Sequence, residues 1–319
     1  MYADDAPAAP VLARVVRSGF TEGVHRGSLV MLDADGSVAL ALGDVTSPMY
    51  PRSSNKPLQA TAALAAGADL EGELLALAAA SHSGEQYHVS GVREILARAG
   101  LVAGSLQCPP AAPEDPEARA EWRRKGAERD RLLMNCSGKH AAMLLACVRA
   151  GWPTENYLDP GHPLQLAARA ELADAAGEPV AHTGVDGCGA PVMAVSLAGL
   201  ARAFRSLTTA EPTTARRRVA DAMRAHPEYV AGTRRSDTWL MRGVPGVLAK
   251  IGAEGVQAVA FPDGRALAFK LDDGAGRARG PVLAAALREL GVNAPVLDRL
   301  ADEPLYGGGA RVGMIEARF

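Results

Sequence analysis

Lysine is scarce in this sequence. Of 34 basic residues only five are lysine, Lys56, Lys125, Lys139, Lys250 and Lys270, and the other 29 are arginine. A chain that meets its surface-charge needs with arginine reserves lysine for what arginine cannot do, which is to lose its proton at an accessible pH. Aromatic residues make up only 4% of the chain. No Lys/Arg run is interleaved with aromatics, and the formal net charge is -2, which argues against nucleic acid and anionic membrane as partners. Apolar runs such as Leu74 to Ala80 are too short to span a bilayer. The acidic start, MYADDAPAAP, lacks the basic and apolar regions of a signal peptide. The expected location is therefore the cytoplasm. Four cysteines (Cys108, Cys136, Cys147 and Cys188) in such a compartment suit burial or metal binding better than disulfides.

What is present is an ample apolar fraction, 48% of 319 residues, enough for a large core. Strands are expected at 11–17, 28–33 and 37–42, the last two joined by the turn ADG, and at 256–261 and 265–271 around PDG. A closing strand is expected at 311–318. Helices are expected at 56–66, 71–80, 87–99, 139–150, 163–176, 195–206, 211–225 and 281–290. Residues 101–135 form a polar excursion rich in Pro, Glu and Arg. The pattern implies an α+β fold in one domain. An antiparallel sheet is built from both chain ends, about 10–45 and 245–319, with a largely helical insert over about 53–240.

Four stretches carry residues capable of chemistry. In RSSNKP, Ser53 and Lys56 share one face of a helix start, and a neutral lysine amine there would activate the hydroxyl. The plainer alternative is that Ser53 or Ser54 is an N-cap and Lys56 is solvated. In ASHSGE, Ser81 follows an apolar helix and suits a second proton relay, or else a helix C-terminus; His82 is a candidate substrate contact. In LAKIGA, Lys250 lies in an apolar strand, with Gly252 permitting close backbone approach. Penicillin-recognising serine hydrolases use S-x-x-K, S-x-N and K-T-G in this order. Here Ser83 replaces the Asn and Ile251 the hydroxyl residue beside the lysine, which argues against β-lactam chemistry. Finally, NCSGKH and DGC bring Cys136, Lys139 and Cys188. Two thiols suit zinc, but the four-ligand C-x-x-C pattern is absent, and two buried cysteines are the simpler reading of the residues alone. SGKH is not a phosphate loop, because Leu133 and His140 stand where Gly and Ser/Thr are required. Cys147 reads as core, Cys108 has no role, and Lys125 and Lys270 read as structural.

Taken together, RSSNKP, ASHSGE, NCSGKHAAM, VDGCGAP and LAKIGA resemble the signature segments of the asparaginase II family, the rhizobial-type L-asparaginases. The resemblance runs from about residue 10 to about residue 317, and HPEYVAGTRRSDTWLM (226–241) joins it. It implies a fold similar to serine β-lactamases, penicillin-binding proteins and glutaminases, and hydrolysis of the L-asparagine side-chain amide to aspartate and ammonia. It implies two Ser-Lys pairs, Ser53 with Lys56 and Ser81 with Lys250. It also implies Cys136, Lys139 and Cys188 as Zn2+ ligands beside the acidic Asp186, the metal helping to hold substrate. Arg52, His82, Asp186 and Lys139 become candidate substrate contacts, and a homodimer is expected. The alternatives are a glutaminase or β-lactam-reactive hydrolase, a non-catalytic zinc-containing binding protein, and hydrolysis by zinc-bound water.

Overall fold

The computed structural model describes residues 8–319, so the reading of the acidic start falls largely outside the described residues. The chain opens with β1 (Val11–Arg17), β2 (Phe20–Leu32), β3 (Val38–Leu42) and β4 (Pro48–Met49). Helices α1 (Lys56–Ala65), α2 (Gly72–Ala78), α3 (Gln86–Arg98), α4 (Pro116–Arg124), α5 (Ser137–Ala150) and α6 (Pro163–Ala176) follow. Next come β5 (His182–Val185), β6 (Pro191–Ser196), α7 (Leu197–Thr209), α8 (Ala215–Ala225), α9 (Pro227–Val230) and α10 (Ser236–Gly243). The chain closes with β7 (Leu248–Ile251), β8 (Val256–Ala260), β9 (Ala266–Leu271), α11 (Arg279–Glu289), α12 (Val296–Ala301), β10 (Pro304–Gly307) and β11 (Ala310–Ala317).

Both chain ends build one antiparallel sheet in the order β10-β11-β1-β2-β9-β8-β7, with β3 also paired to β2. The long β2 serves two neighbours in succession: residues 20–26 pair with β1 and residues 27–32 with β9. Every residue of β8 is buried. A strand with no polar alternation is covered on both faces. Helix α7 packs along β2, β8 and β9, and its Ser196 cap accepts the Gly199 N–H at 2.8 Å. The helical insert needs one correction. It contains a second sheet, β4-β6-β5, where only loop and helix are expected. Its central strand β6, PVMAVS, is buried throughout and runs directly into α7, so its apolar residues merge with the helical pattern.

Two helices lie inside the insert. Residues Lys56 to Leu64 of α1 and Ser137 to Cys147 of α5 are buried without interruption, so each helix is surrounded by protein. Gly138 makes this possible for α5: a Cβ there would lie 2.4 Å from the Leu77 carbonyl oxygen at the end of α2. The first turns of these two helices carry Lys56 and Lys139, and the chain leaving α2 carries Ser81. All four cysteines are free and buried. No helix among the described residues is long and apolar enough to cross a membrane.

Candidate active site

The chain enters α1 through a 3-10 turn, Arg52–Asn55. Neither Ser53 nor Ser54 caps the helix. The residue before α1 is Asn55, without a side-chain cap bond, and the Ser54 hydroxyl donates back to Pro51 O at 2.6 Å. The 3-10 bonds already engage these backbone groups, so no hydroxyl is needed. Arg52 has a φ of 51°. A non-glycine residue in the left-handed region costs roughly 1 kcal/mol or more and is held by its surroundings. Here the anchors are Asp186, whose Oδ1 accepts the Arg52 Nε–H at 2.8 Å, and Glu254 at 3.6 Å.

The centre of the site is Ser81. Lys56 Nζ donates to Ala80 O at 2.6 Å and to Ser81 Oγ at 2.9 Å. Lys250 Nζ reaches the same Oγ at 2.9 Å and Ile251 O at 3.0 Å. Both amines are buried, at 1% and 0% exposure. Neither faces a carboxylate directly, which is costly for an ammonium. Burial, and then the charge of Lys56, bring Lys250 down to about 7. Lys250 thus titrates near neutral pH, on a strand that reaches the Ser53 turn because residue 252 is glycine. A Cβ on Gly252 would lie 2.5 Å from Pro51 O.

A second cluster adjoins the first. The backbone N–H of His82 donates to Asn135 O at 3.0 Å, tying the Ser81 segment to the residue before Cys136. Cys136 precedes α5, Lys139 follows within its first turn, and Cys188 sits on the turn between β5 and β6. Lys139 Nζ donates to Cys188 Sγ at 3.1 Å. The Cys136 thiol has two acceptors within reach, Cys188 and Asn135 Oδ1, the latter at 2.9 Å. The hydrogen bond from Cys136, then the Lys139 charge and His140, lower the pKa of Cys188, while the same hydrogen bond and burial raise that of Cys136. Burial works against the Lys139 charge, but Cys188 and Cys136 more than offset it and leave its pKa raised.

The L-asparaginase II family profile matches residues 13–317. The chain belongs to the L-asparaginase II family. It is thereby an amidohydrolase. Among solved structures, a β-lactamase from Mycobacterium bovis is 18% identical over 83% of this chain and 95% of its own, with a TM-score of 0.46. Mglu in its native form is 17% identical over 84% of this chain and 65% of its own, with a TM-score of 0.46. Mglu in its L-glutamate-binding form is 15% identical over 83% and 58%, with a TM-score of 0.39. The chain spans less than two-thirds of Mglu. Likenesses this distant say nothing about chemistry. Among curated proteins, none matches the sequence.

In this L-asparaginase II family member, Lys56 and Lys250 meet on Ser81. Among the described residues no hydrogen bond joins Lys56 to Ser53, the partly exposed neighbour in the 3-10 turn. Arg52 and Asp186 are paired at the same edge. His82 is fully buried, and both its ring nitrogens are engaged within the protein. Nδ1 accepts the Gly84 N–H at 3.2 Å, and Nε2 lies 2.8 Å from Ser137 Oγ, whose own hydrogen goes to Leu132 O at 2.9 Å. Burial, then His88 and Lys56, hold its pKa well below the usual histidine range. No ring nitrogen is left free for a ligand.

The residues fit a zinc ion as a set of two sulfurs and one amine, the softer donors that zinc accepts. Among the described residues no three His, Cys, Asp or Glu side chains converge as a ligand group, so the set depends on Lys139. Two more residues adjoin the set, His140 at the end of NCSGKH and Tyr157, which lies in no motif. His140 Nδ1 lies 2.7 Å from Tyr157 OH, and that hydroxyl already accepts the Gln107 N–H at 3.1 Å. The Tyr157 hydroxyl can donate to Nδ1 or accept a second hydrogen from it, and His140 Nε2 is buried without a hydrogen-bond partner among the described residues.

Proposed function

We propose that the chain is an L-asparaginase, hydrolysing the side-chain amide of L-asparagine to L-aspartate and ammonia with Ser53 as nucleophile. The observation that carries this reading is the Ser81 hydroxyl held 2.9 Å from each of two buried lysine amines. A hydroxyl in that position passes protons between them. Ser53 Oγ attacks the amide carbon, and its proton goes to the Lys56–Ser81–Lys250 relay. The relay returns a proton to the nitrogen, the C–N bond breaks, and ammonia leaves an ester on Ser53. Water, deprotonated by the same relay, then cleaves the ester to aspartate and restores the Ser53 hydroxyl. The backbone N–H of Ser53, outside the 3-10 bonds of the turn, holds the oxyanion. Arg52 and Asp186 offer charges to the substrate's α-carboxylate and α-ammonium groups, and Lys139 adds its own only while no metal holds the amine; His82 supports the site from behind.

Cys136, Lys139 and Cys188 would hold Zn2+, with the lysine amine deprotonated on binding. Bound there, zinc supplies a fixed positive charge for positioning the substrate. The protein acts as a cytoplasmic homodimer in this reading, which sedimentation would check.

The test is ammonia release from Asn, Gln and a chromogenic β-lactam, alongside metal analysis of the purified protein. Asn is expected to turn over fastest; faster turnover of Gln or the β-lactam would transfer the assignment to that substrate. Asn binding without ammonia release would make it a binding protein. S53A should lose turnover and every trapped acyl adduct. An adduct on Ser81 in that variant would overturn the choice of nucleophile.

A further inference from the structure

Asp237, in the first turn of α10, is buried at 1% exposure. Its Oδ2 accepts the Ile251 N–H at 2.8 Å, and its Oδ1 accepts Gln257 Nε2 at 3.2 Å. Both donors are neutral, and among the described residues Asp237 makes no ion pair. A carboxylate this deep costs several kcal/mol unless a charge elsewhere needs it. The hydrogen bonds alone do not require the charge. The amide oxygen of an asparagine would accept from Ile251 equally well, and Gln257 Oε1 has no partner, so a flipped Gln257 would accept from the new NH2 group.

The link to chemistry is the Ile251 residue. Its N–H is held by Asp237, and its carbonyl accepts Lys250 Nζ at 3.0 Å. Lys250 then spans from that carbonyl to Ser81. The charges acting on Lys250 include Lys56 from α1, Asp237 from α10, Arg235 just before α10 and Cys136 just before α5. The Asp237 charge acts in turn on Lys250 from β7 and Arg279 from α11. Asp237 is the carboxylate of this set. We propose that Asp237 is a positioning residue of the Ser-Lys relay, fixing the peptide that holds Lys250 on Ser81 and supplying the negative charge that balances this lysine. This inference rests on the reading of Lys250 as a relay group.

With burial and Lys56 already bringing Lys250 to about 7, loss of the opposing Asp237 charge lowers it further. The scarcity of lysine makes this measurable. The full chain labelled with 15N at lysine Nζ has five side-chain signals to follow, and K250M identifies the one of interest. In D237N the Lys250 midpoint should fall by about 1 unit. The acidic limb of kcat/KM for Asn should move down with it. D237E keeps the charge but displaces the oxygens; it should hold the midpoint near the parent value while kcat drops. An unmoved or raised midpoint in D237N would overturn the proposal, as would a D237E midpoint that falls as far. Should D237N not fold, the D237E midpoint still decides. A midpoint that moves while the activity limb stays put supports the tuning by Asp237 and counts instead against the catalytic reading of Lys250.

Discussion

Ser81 carries one hydrogen and two lone pairs, and two amines reach for it. When both lysines are charged the hydroxyl can only accept; when Lys250 is neutral it can donate, and the relay opens. Below about 7 Lys250 holds its proton, and above it the base form dominates. The rate should therefore rise with pH through this region and level off. Arginine cannot make that change. K250R is expected to lose about 100-fold or more in kcat/KM, together with the acidic limb. A pH–rate profile of both proteins checks this, and a K250R enzyme at parental rate would remove Lys250 from the mechanism. Cys188 carries a separate expectation. C188A leaves one sulfur and one amine, so zinc measured by elemental analysis should fall from about one per chain to a trace. Full retention would place the metal elsewhere.

Elements bring these side chains together through close backbone approach. Gly252, at the end of β7, lies where a Cβ would meet Pro51 O at 2.5 Å, and Pro51 begins the turn that holds Ser53. G252A should push that turn away from Lys250, costing about 1–3 kcal/mol of stability and more than tenfold in kcat/KM. G104A is the control, since nothing lies within 4 Å of the added Cβ. Equal behaviour of the two variants in thermal unfolding and turnover would dismiss the contact. Gly252 beside Lys250 is legible in the sequence, as are the hairpins at ADG and PDG and the helix at 163–176, because turn chemistry and periodicity are local. The 3-10 entry to α1 is not, since a serine before a helix reads as a cap whichever way its hydroxyl turns. Nor is Asp237, whose partner Ile251 lies in the next element, β7, at a distance no local periodicity links to it. The meeting of two lysines on Ser81 is equally hidden: chain order suggests two separate pairs, and only the packing of α1, α2 and β7 puts both amines on one oxygen.

At the scale of the whole molecule, burial around the site sets a limit on acid stability. His82 and His88 stack at 4.9 Å between ring centroids, and both are neutral within their hydrogen bonds. His88 Nδ1 accepts the Glu85 N–H at 3.1 Å, and Nε2 lies 2.9 Å from Glu228 O, which fixes its hydrogen on Nε2. Burial pushes its pKa from 6.5 down to about 4, and His82 is pushed down as well. The sign follows from proton counting. Between about 6.5 and about 4 the unfolded chain binds a proton at position 88 that the folded chain refuses, so stability falls as pH falls through this window. Each such histidine contributes a slope of up to about 1.4 kcal/mol per pH unit, against a total stability of about 5–15 kcal/mol for a typical domain. In H88N the amide oxygen replaces Nδ1 as acceptor for Glu85 and nothing titrates. Urea unfolding at a series of pH values should show the acid slope reduced by about one proton's worth in H88N. An unchanged slope would mean that His88 is protonated in the fold, and that the acid sensitivity arises from other groups.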